Sequence, residues 1–309
     1  MSATFGPPTF GAARLAVLAS GRGSNLAALS RAFPGQIVLA VSNNPRAPAL
    51  DSARAAGAEA VFVPWEKGDR EGFEDTVADL LTSRSIDLVL LAGFMRLLSP
   101  GFASALRGRL LNIHPSLLPA FPGLRAHEQA LAAKVAYTGC TVHFVDAGTD
   151  TGDVILQKRV PITGNDAPDT LAVHLLPAEH EAYPQAVRLV LRGLAFPMPT
   201  REELLEEFGA SGPRPRSVGQ VRAARLAREW GWEEAVPAAL GNVAHPVAAL
   251  ARDADELRLA WTSLEPLQER RARWAGREIL LERAEKLGLK TEVEDALAVT
   301  AEEWERTTY

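Results

Sequence analysis

The chain has 309 residues, of which 47% are hydrophobic and 23% are charged, a composition typical of a folded globular protein and not of a disordered one. Its single cysteine, Cys140, excludes an internal disulfide, and no apolar run reaches the ~18 residues that a membrane-spanning helix needs. The first 200 residues balance acidic and basic side chains, so the net charge of −5 falls on the remainder, and neither part has the basic surface of a nucleic-acid-binding protein. Residues 1–13 lack the regions of a signal peptide, and we therefore expect a cytoplasmic protein.

Short apolar runs alternate with helical patterns between residues 13 and 194. Strands are predicted at residues 14–19, 37–41, 60–63, 86–92 and 110–114, and helices at residues 25–33, 48–56, 70–83 and 99–106. This alternation indicates βαβ units, and hence an α/β domain with a mainly parallel, buried sheet. Two further strands at residues 140–145 and 154–161, which we expect to be antiparallel, precede a long helix at residues 168–192.

The composition of the sequence changes after residue 196. Pro197 and Pro199 interrupt the chain, and five of the six tryptophans follow them. Apolar positions at helical spacing predict helices at residues 202–208, 218–230, 246–273 and 277–287. The sequence therefore predicts a flexible tail at residues 1–12, a first domain at 13–196, and a small, mostly α-helical domain at 197–309 in which the tryptophans anchor a core or an interface.

The first predicted strand runs through a glycine-spaced turn into the first predicted helix. Gly23, Ser24 and Asn25 would place backbone amides at the positive end of that helix, where a phosphate can bind, and Arg70 would add a matching positive charge. A tight turn capped by Ser24 or Asn25 is the structural alternative. Binding of NAD is disfavoured, because Leu26 replaces the third glycine of the dinucleotide fingerprint and no acidic residue follows the second strand.

Asn112 and His114 stand at the end of the fifth predicted strand, which Pro115 and Pro119 prevent from continuing. Residues two apart on a strand point to the same side, so both side chains would face one cleft. The alternative is that the strand simply ends in polar residues, with His114 either exposed to solvent or hydrogen-bonded within the core.

Two other loops carry candidate site residues. The loop after the fourth strand contains Gly93, which allows a flat ligand to approach the backbone between the apolar side chains of Phe94, Met95 and Leu98; packing of these side chains into the core is the alternative. The acidic loop at residues 146–153 lacks the glutamate and the ligand spacing of a calcium loop, and it is either a solvated turn or the source of one carboxylate for the cleft. His114, His143 and a carboxylate lack the spacing of a zinc site, so no metal is expected.

Taken in this order, residues 20–26, 92–98, 112–124 and 139–152 resemble the phosphoribosylglycinamide formyltransferase family, and the resemblance covers residues 13–194. It implies a Rossmann-like formyltransferase domain and transfer of a formyl group from 10-formyltetrahydrofolate, used as co-substrate, to the amine of glycinamide ribonucleotide in purine biosynthesis. The implied partners are these two small molecules. No nucleic-acid or membrane partner is expected, and the oligomeric state is left open between a monomer and a homodimer.

The resemblance also implies roles for individual residues. Asn112, His114 and Asp150 match the catalytic trio, and Glu179 matches the acid near the substrate amine. Gly23, Ser24, Asn25 and Arg70 match positions that bind the substrate phosphate. Residues on the folate side are Met95, Arg96, Leu97 and Leu98, together with Ala147, Gly148 and Thr149 of the acidic loop.

Two positions depart from the family pattern. Asp153 stands where the family usually has proline, and Arg125 stands where a histidine is frequent. If Asp153 were confined beside Asp150, repulsion between the two carboxylates would raise the pKa of Asp150.

Three alternative functions compete with this interpretation. A methionyl-tRNA formyltransferase shares the trio, but its tail would need to be β-rich and basic to hold tRNA. A non-catalytic folate-binding protein would not need all three catalytic residues. Hydrolysis of formyl-folate is the third alternative, and no regulatory domain is seen ahead of Arg14.

Overall fold

The computed structural model describes residues 13–66, 68–191, 197, 199, 201–208, 221 and 285. The chain divides into two units, Met1–Pro197 and Met198–Tyr309. The first unit is an α/β domain, and the described part of the second includes a helix at residues 201–208 and two further helical residues. Among the described residues, no helix combines the length and the hydrophobicity needed to span a bilayer.

One seven-stranded sheet organises the first unit. Its strands are β1 (Leu15–Leu18), β2 (Ile37–Ser42), β3 (Glu59–Phe62), β4 (Leu88–Leu91), β5 (Leu110–His114), β6 (Tyr137–Phe144) and β7 (Val154–Pro161). They lie in the order β3-β2-β1-β4-β5-β6-β7. The first five strands pair in parallel, whereas β6 runs antiparallel to both β5 and β7. The result is a mixed, Rossmann-like sheet whose parallel strands extend from the β3 edge to β5, with the antiparallel strands β6 and β7 at the opposite edge.

Seven helices are described. They are α1 (Ser24–Ala32), α2 (Pro48–Ala55), α3 (Arg70–Ser83), α4 (Pro100–Ala105), α5 (Ala126–Ala132), α6 (Pro168–Leu191) and α7 (Arg201–Phe208). Two of them begin at capping side chains: the Asp69 carboxylate accepts from the Gly72 amide at 2.9 Å, and the Ser99 hydroxyl accepts from the Phe102 amide at 3.1 Å. These caps satisfy amides that have no partner inside the helix.

The core follows from the composition of the central strands. All residues of β1 and β4 are buried, as expected for parallel strands covered by helices on both faces. Phe73 and Val77 of α3 pack with these strands in one apolar cluster. Along the edge strand β7, by contrast, most residues are only partly buried or exposed.

The order of the strands locates the cleft. From β1 the chain passes outward through β2 to β3 and then returns to β4 on the other side of β1. In open α/β sheets, ligands bind beyond the carboxyl ends of the strands where the order reverses. The glycine loop after β1 and the loop after β4 meet at this point.

The predicted strands and helices of residues 14–114 are confirmed, with ends that shift by one or two residues at most positions. The antiparallel pairing of the last two strands is also confirmed, and β6 begins at Tyr137, three residues before the predicted start. The short helix α5 was not predicted. Capping of α1 by Ser24 or Asn25 is wrong, because the N-cap residue is Gly23 and no side chain caps the helix.

In the second unit, the helix predicted at residues 202–208 is observed as α7. Val221 and Glu285 are helical. The rest of the predicted tail helices, the five tail tryptophans and the N-terminal tail at residues 1–12 lie outside the described residues.

Candidate active site

Asn112, His114 and Asp150 are brought together at the end of β5. The antiparallel register places Asn112 opposite His143 and His114 opposite Thr141. Asp150 arrives from the loop between β6 and β7, where its backbone has a positive φ of 55°. Its Oδ2 lies 3.3 Å from His114 Nδ1. The trio predicted from the sequence is therefore spatially contiguous.

The imidazole of His114 is held from two sides. Its Nε2 lies 2.9 Å from the carbonyl oxygen of Phe121, and its Nδ1 faces the Asp150 carboxylate. The side chain is buried, so few alternative partners compete for either nitrogen. Phe121 lies in the loop that follows Pro115 and Pro119. Because these prolines make the turn rigid, the Phe121 carbonyl is held in place and fixes the orientation of the His114 ring.

Asp150 is kept ionised by its surroundings. Burial raises the pKa of the carboxyl, but the contact with His143, the hydrogen bond from the Gly123 amide and the charges that His114 and His143 carry when protonated outweigh burial. The net effect is a pKa below the ordinary value. The Gly123 amide donates to Oδ2 at 2.8 Å. Asp150 is thus a carboxylate at neutral pH.

The condition for repulsion between Asp153 and Asp150 is not met. Asp153 is exposed, and repulsion from it is not among the causes that shift the pKa of Asp150. An exposed carboxylate is screened by water and has little influence on a partly buried neighbour. Arg125, the other residue that departs from the family pattern, is also exposed, and its Nη1 lies 3.8 Å from Glu128 Oε2.

His143 also belongs to this group, whereas the sequence indicated it only as one member of a disfavoured zinc site. Its imidazole is 2% exposed, and its Nε2 lies 3.1 Å from Asn112 Nδ2 and 3.6 Å from Asp150 Oδ1. The alternation of side chains along β6 can be predicted from the sequence, but the register of β6 against β5 cannot. No group of three metal-ligating side chains occurs in the described part of the chain.

The glycine loop leads into α1 through a residue that must be glycine. Gly23 has a φ of 80°, and a Cβ atom there would come within 2.7 Å of the Ala49 Cα. Because no side chain caps α1, the first amides of the helix, near Ser24 and Asn25, are open to an anion. Arg70 starts α3 at the same carboxyl edge of the sheet, and its Nε lies 4.0 Å from Glu74 Oε1.

Asn25 and Glu179 join the glycine loop to α6. Asn25 Nδ2 donates to Glu179 Oε2 at 2.7 Å, and both residues are 8% exposed. Burial raises the pKa of the Glu179 carboxyl, while the hydrogen bond from Asn25 and the charge of Arg22 partly oppose this rise. Asn25 Oδ1 is buried and has no hydrogen-bond partner among the described residues. The predicted amine-side acid therefore lies beside the predicted phosphate loop.

Ser20 connects the glycine loop to the loops after β2 and β4. Its hydroxyl donates to Asn43 Oδ1 at 2.6 Å and accepts from the Met95 amide at 2.9 Å. Its own amide donates to the Gly93 carbonyl at 3.1 Å. Ser20 therefore fixes the distance between the loop predicted to bind the phosphate and the loop predicted to bind the folate.

The residues expected on the folate side have mostly exposed side chains. Met95 and Leu97 are 66% and 61% exposed, whereas Leu98 packs against the core. Arg96 lies over the Trp65 ring, 5.6 Å from its centroid. In the acidic loop, residues 147–149 are exposed, and Asp146 accepts hydrogen bonds within the loop.

The sequence profile of the family described as formyl transferase matches residues 13–187. The chain is 46% identical over 187 residues to a human trifunctional purine biosynthetic protein adenosine-3, and this match covers 59% of the chain and 18% of the relative. It is 43% identical to the Drosophila melanogaster protein of the same name over 14% of that protein. The chain thus spans less than a fifth of the length of these trifunctional relatives.

Shorter relatives are matched almost completely. Phosphoribosylglycinamide formyltransferase of Bacillus subtilis is 36% identical over 184 residues, which cover 58% of the chain and 94% of the relative. The crystal structure of glycinamide ribonucleotide transformylase 1 from Symbiobacterium toebii superimposes with a TM-score of 0.58 at 42% identity, and covers 60% of the chain and 90% of that structure.

Proposed function

The chain belongs to the formyl transferase family, and on that premise we propose that it transfers a formyl group from 10-formyltetrahydrofolate to the amine of glycinamide ribonucleotide in purine biosynthesis. The observation that carries the proposal is the contiguous group of Asn112, His114 and Asp150 at the same carboxyl edge of the sheet as the open start of α1. The name of the Bacillus subtilis relative, of whose length the chain covers 94%, supports the choice of acceptor.

The reaction needs an electrophile, a nucleophile and one proton transfer. The amine nitrogen of the ribonucleotide attacks the formyl carbon, and a new carbon–nitrogen bond forms as the carbonyl oxygen becomes an oxyanion. The bond from that carbon to the folate nitrogen then breaks, and the proton lost by the attacking amine ends on the folate nitrogen. The products are tetrahydrofolate and the formylated ribonucleotide.

The three residues match these needs. The Asn112 amide donates to the oxyanion, a contribution of ~3 to 4 kcal/mol to the barrier where such donors have been removed elsewhere. His114 carries charge or relays the proton, since histidine is the side chain whose ordinary pKa lies closest to neutrality. The ionised Asp150, 3.3 Å from His114 Nδ1, orients the ring. No covalent intermediate on the chain is required.

The two substrates enter from the two loops at the crevice. We propose that the phosphate binds at Gly23, Ser24 and Asn25 with Arg70 as counter-charge, and that Glu179 meets the substrate near its amine. The folate contacts Met95, Arg96, Leu97 and Leu98 on one side, and Ala147, Gly148 and Thr149 on the other. Residues 13–196 form the catalytic domain in this proposal, and residues 197–309 are a helical extension.

The other candidate acceptors are less well supported. The tail carries the entire net negative charge, which disfavours tRNA. A protein that only binds folate has no need to hold His114 between the Asp150 carboxylate and the Phe121 carbonyl.

One assay separates these functions. The purified chain is given 10-formyltetrahydrofolate and, in parallel, glycinamide ribonucleotide, charged initiator tRNA or water, while the release of tetrahydrofolate is followed. We expect release with the ribonucleotide to be at least ~100-fold faster than with the other acceptors, and a folded Asn112→Ala chain to lose this rate. Preferential release with tRNA, or equal release with water alone, contradicts the proposal.

A further inference from the structure

His143 is a buried imidazole to which the proposed chemistry assigns no role. Its Nδ1 lies 2.8 Å from the backbone carbonyl oxygen of Phe144. A carbonyl oxygen only accepts hydrogen bonds, so Nδ1 must carry a proton. In a neutral ring, Nε2 is then left with a lone pair.

That lone pair faces the amide of Asn112. Asn112 Nδ2 lies 3.1 Å from His143 Nε2, a distance at which one N–H of the amide donates to the ring. Asp150 Oδ1 is 3.6 Å from the same nitrogen, so the contact that lowers the Asp150 pKa when His143 is protonated is longer than a hydrogen bond, and the other oxygen of Asp150 accepts from the Gly123 amide. The Asn112 amide is therefore the hydrogen-bonded partner of Nε2.

From this geometry we propose that His143, as the neutral Nδ1–H tautomer, is the positioning residue for Asn112. By accepting one N–H of the amide, His143 fixes which end of Asn112 is nitrogen and leaves the second N–H free to donate to the oxyanion. A rotated amide would present its oxygen to the oxyanion and repel it. The inference rests on the proposed formyl transfer for its kinetic consequence, but its structural content is independent of activity.

The tautomer is tested directly by nitrogen-15 NMR of the full-length chain, labelled at its six histidines. The signals of His143 are assigned by their loss in His143→Gln. We expect Nδ1 of His143 to be protonated and Nε2 to be unprotonated at neutral pH in the parent chain. A protonated Nε2 overturns the inference whether or not the chain transfers formyl groups.

The kinetic test uses His143→Leu, which removes the acceptor, and His143→Gln, whose side-chain oxygen can replace it. We expect His143→Leu to lower kcat by about 10- to 100-fold, the range for a misplaced group, with the KM values of both substrates within about threefold of the original. His143→Gln should recover much of the loss. Val142→Ala, at the neighbouring buried position of β6, controls for a loosened strand and should keep kcat within about threefold.

A double variant separates positioning from a general structural role. If His143 acts through Asn112, the chain with both His143→Leu and Asn112→Ala should turn over no more slowly than Asn112→Ala alone. Multiplied losses, or unchanged kcat in His143→Leu, overturn the inference. Failure of the parent chain to transfer formyl groups refutes the proposed function instead, and leaves the NMR result to decide the inference.

Discussion

Glu179→Gln should make the protein more stable at neutral pH while making it a poorer enzyme. In the parent chain, Glu179 receives one hydrogen bond from Asn25 Nδ2 at 2.7 Å. The amide oxygen of the same asparagine is buried and has no partner among the described residues. A glutamine at residue 179 could accept from Asn25 Nδ2 with its oxygen and donate to Asn25 Oδ1 with its nitrogen, which completes an amide–amide pair.

The expected gain comes from two sources. A hydrogen bond to a buried, previously unpaired oxygen contributes about 1 kcal/mol to the free energy of unfolding, which corresponds to ~2–4 °C in Tm for a domain of this size. The second source is removal of a carboxyl whose burial raises its pKa above 4.5. Because the folded state binds this proton more tightly, the parent chain loses stability as pH rises from the unfolded value through the folded one. The advantage of Glu179→Gln should therefore grow over that window and shrink below about pH 4.5.

Urea unfolding of both chains at several pH values, followed by circular dichroism, measures this difference. Glu181→Gln is the matched control, because Glu181 lies on the same helix but is exposed, with its Oε1 2.9 Å from Lys158 Nζ. The control should change the free energy of unfolding by less than about 0.5 kcal/mol. The KM for the ribonucleotide should rise by about tenfold or more in Glu179→Gln, since a charge-assisted contact is lost. A Glu179→Gln chain that is less stable at pH 7 than the parent refutes the reasoning.

The remaining predictions concern the trio, the phosphate side and the domain boundary. His114→Ala and Asp150→Asn should each lower kcat by at least ~100-fold in a chain whose circular dichroism is unchanged, because acid–base work is lost; near-normal turnover in both contradicts the assignment. Arg70→Ala should raise the KM for the ribonucleotide by about tenfold or more and leave that for the folate unchanged, since a charged contact contributes about 1.5 to 3 kcal/mol; a rise in the folate KM alone would mean that the two ligand sides are reversed. Gly23→Ala should lower the free energy of unfolding by at least about 1 kcal/mol, because its φ of 80° is strained for alanine; equal urea midpoints refute this. A chain ending at residue 197 should fold and retain formyl transfer, and a folded but inactive product would show that the tail completes the site.

Local signals in the sequence were sufficient for much of the fold. Strand β5 was predicted with its observed bounds, because an apolar run ends abruptly in polar residues and a proline. Helix α3 was also predicted with its observed bounds, and in the structure the Asp69 side chain caps its first turn. The seven-residue helix α5 was missed, because so short a segment shows barely two turns of periodicity and follows a residue with a positive φ, Arg125.

Long-range contacts were the part that the sequence alone could not supply. The partnership of His143 with Asn112 depends on the register between β5 and β6, which no local pattern specifies. Asn25 and Glu179 are 154 positions apart, and Glu179 entered the site only through resemblance to a known family. Spacing along the chain also does not reveal that Asp153 is exposed, so only the structure shows that its carboxylate is not confined beside Asp150.

The central claim is tested most directly by following the formyl carbon itself. The full-length chain is incubated with 10-formyltetrahydrofolate labelled with carbon-13 in the formyl group and an excess of glycinamide ribonucleotide, and the label is located by NMR as tetrahydrofolate appears. The account predicts one labelled formyl group on the ribonucleotide amine for each tetrahydrofolate released, with no labelled formate. Label that accumulates as formate, or that remains on the folate in the presence of the ribonucleotide, would contradict it.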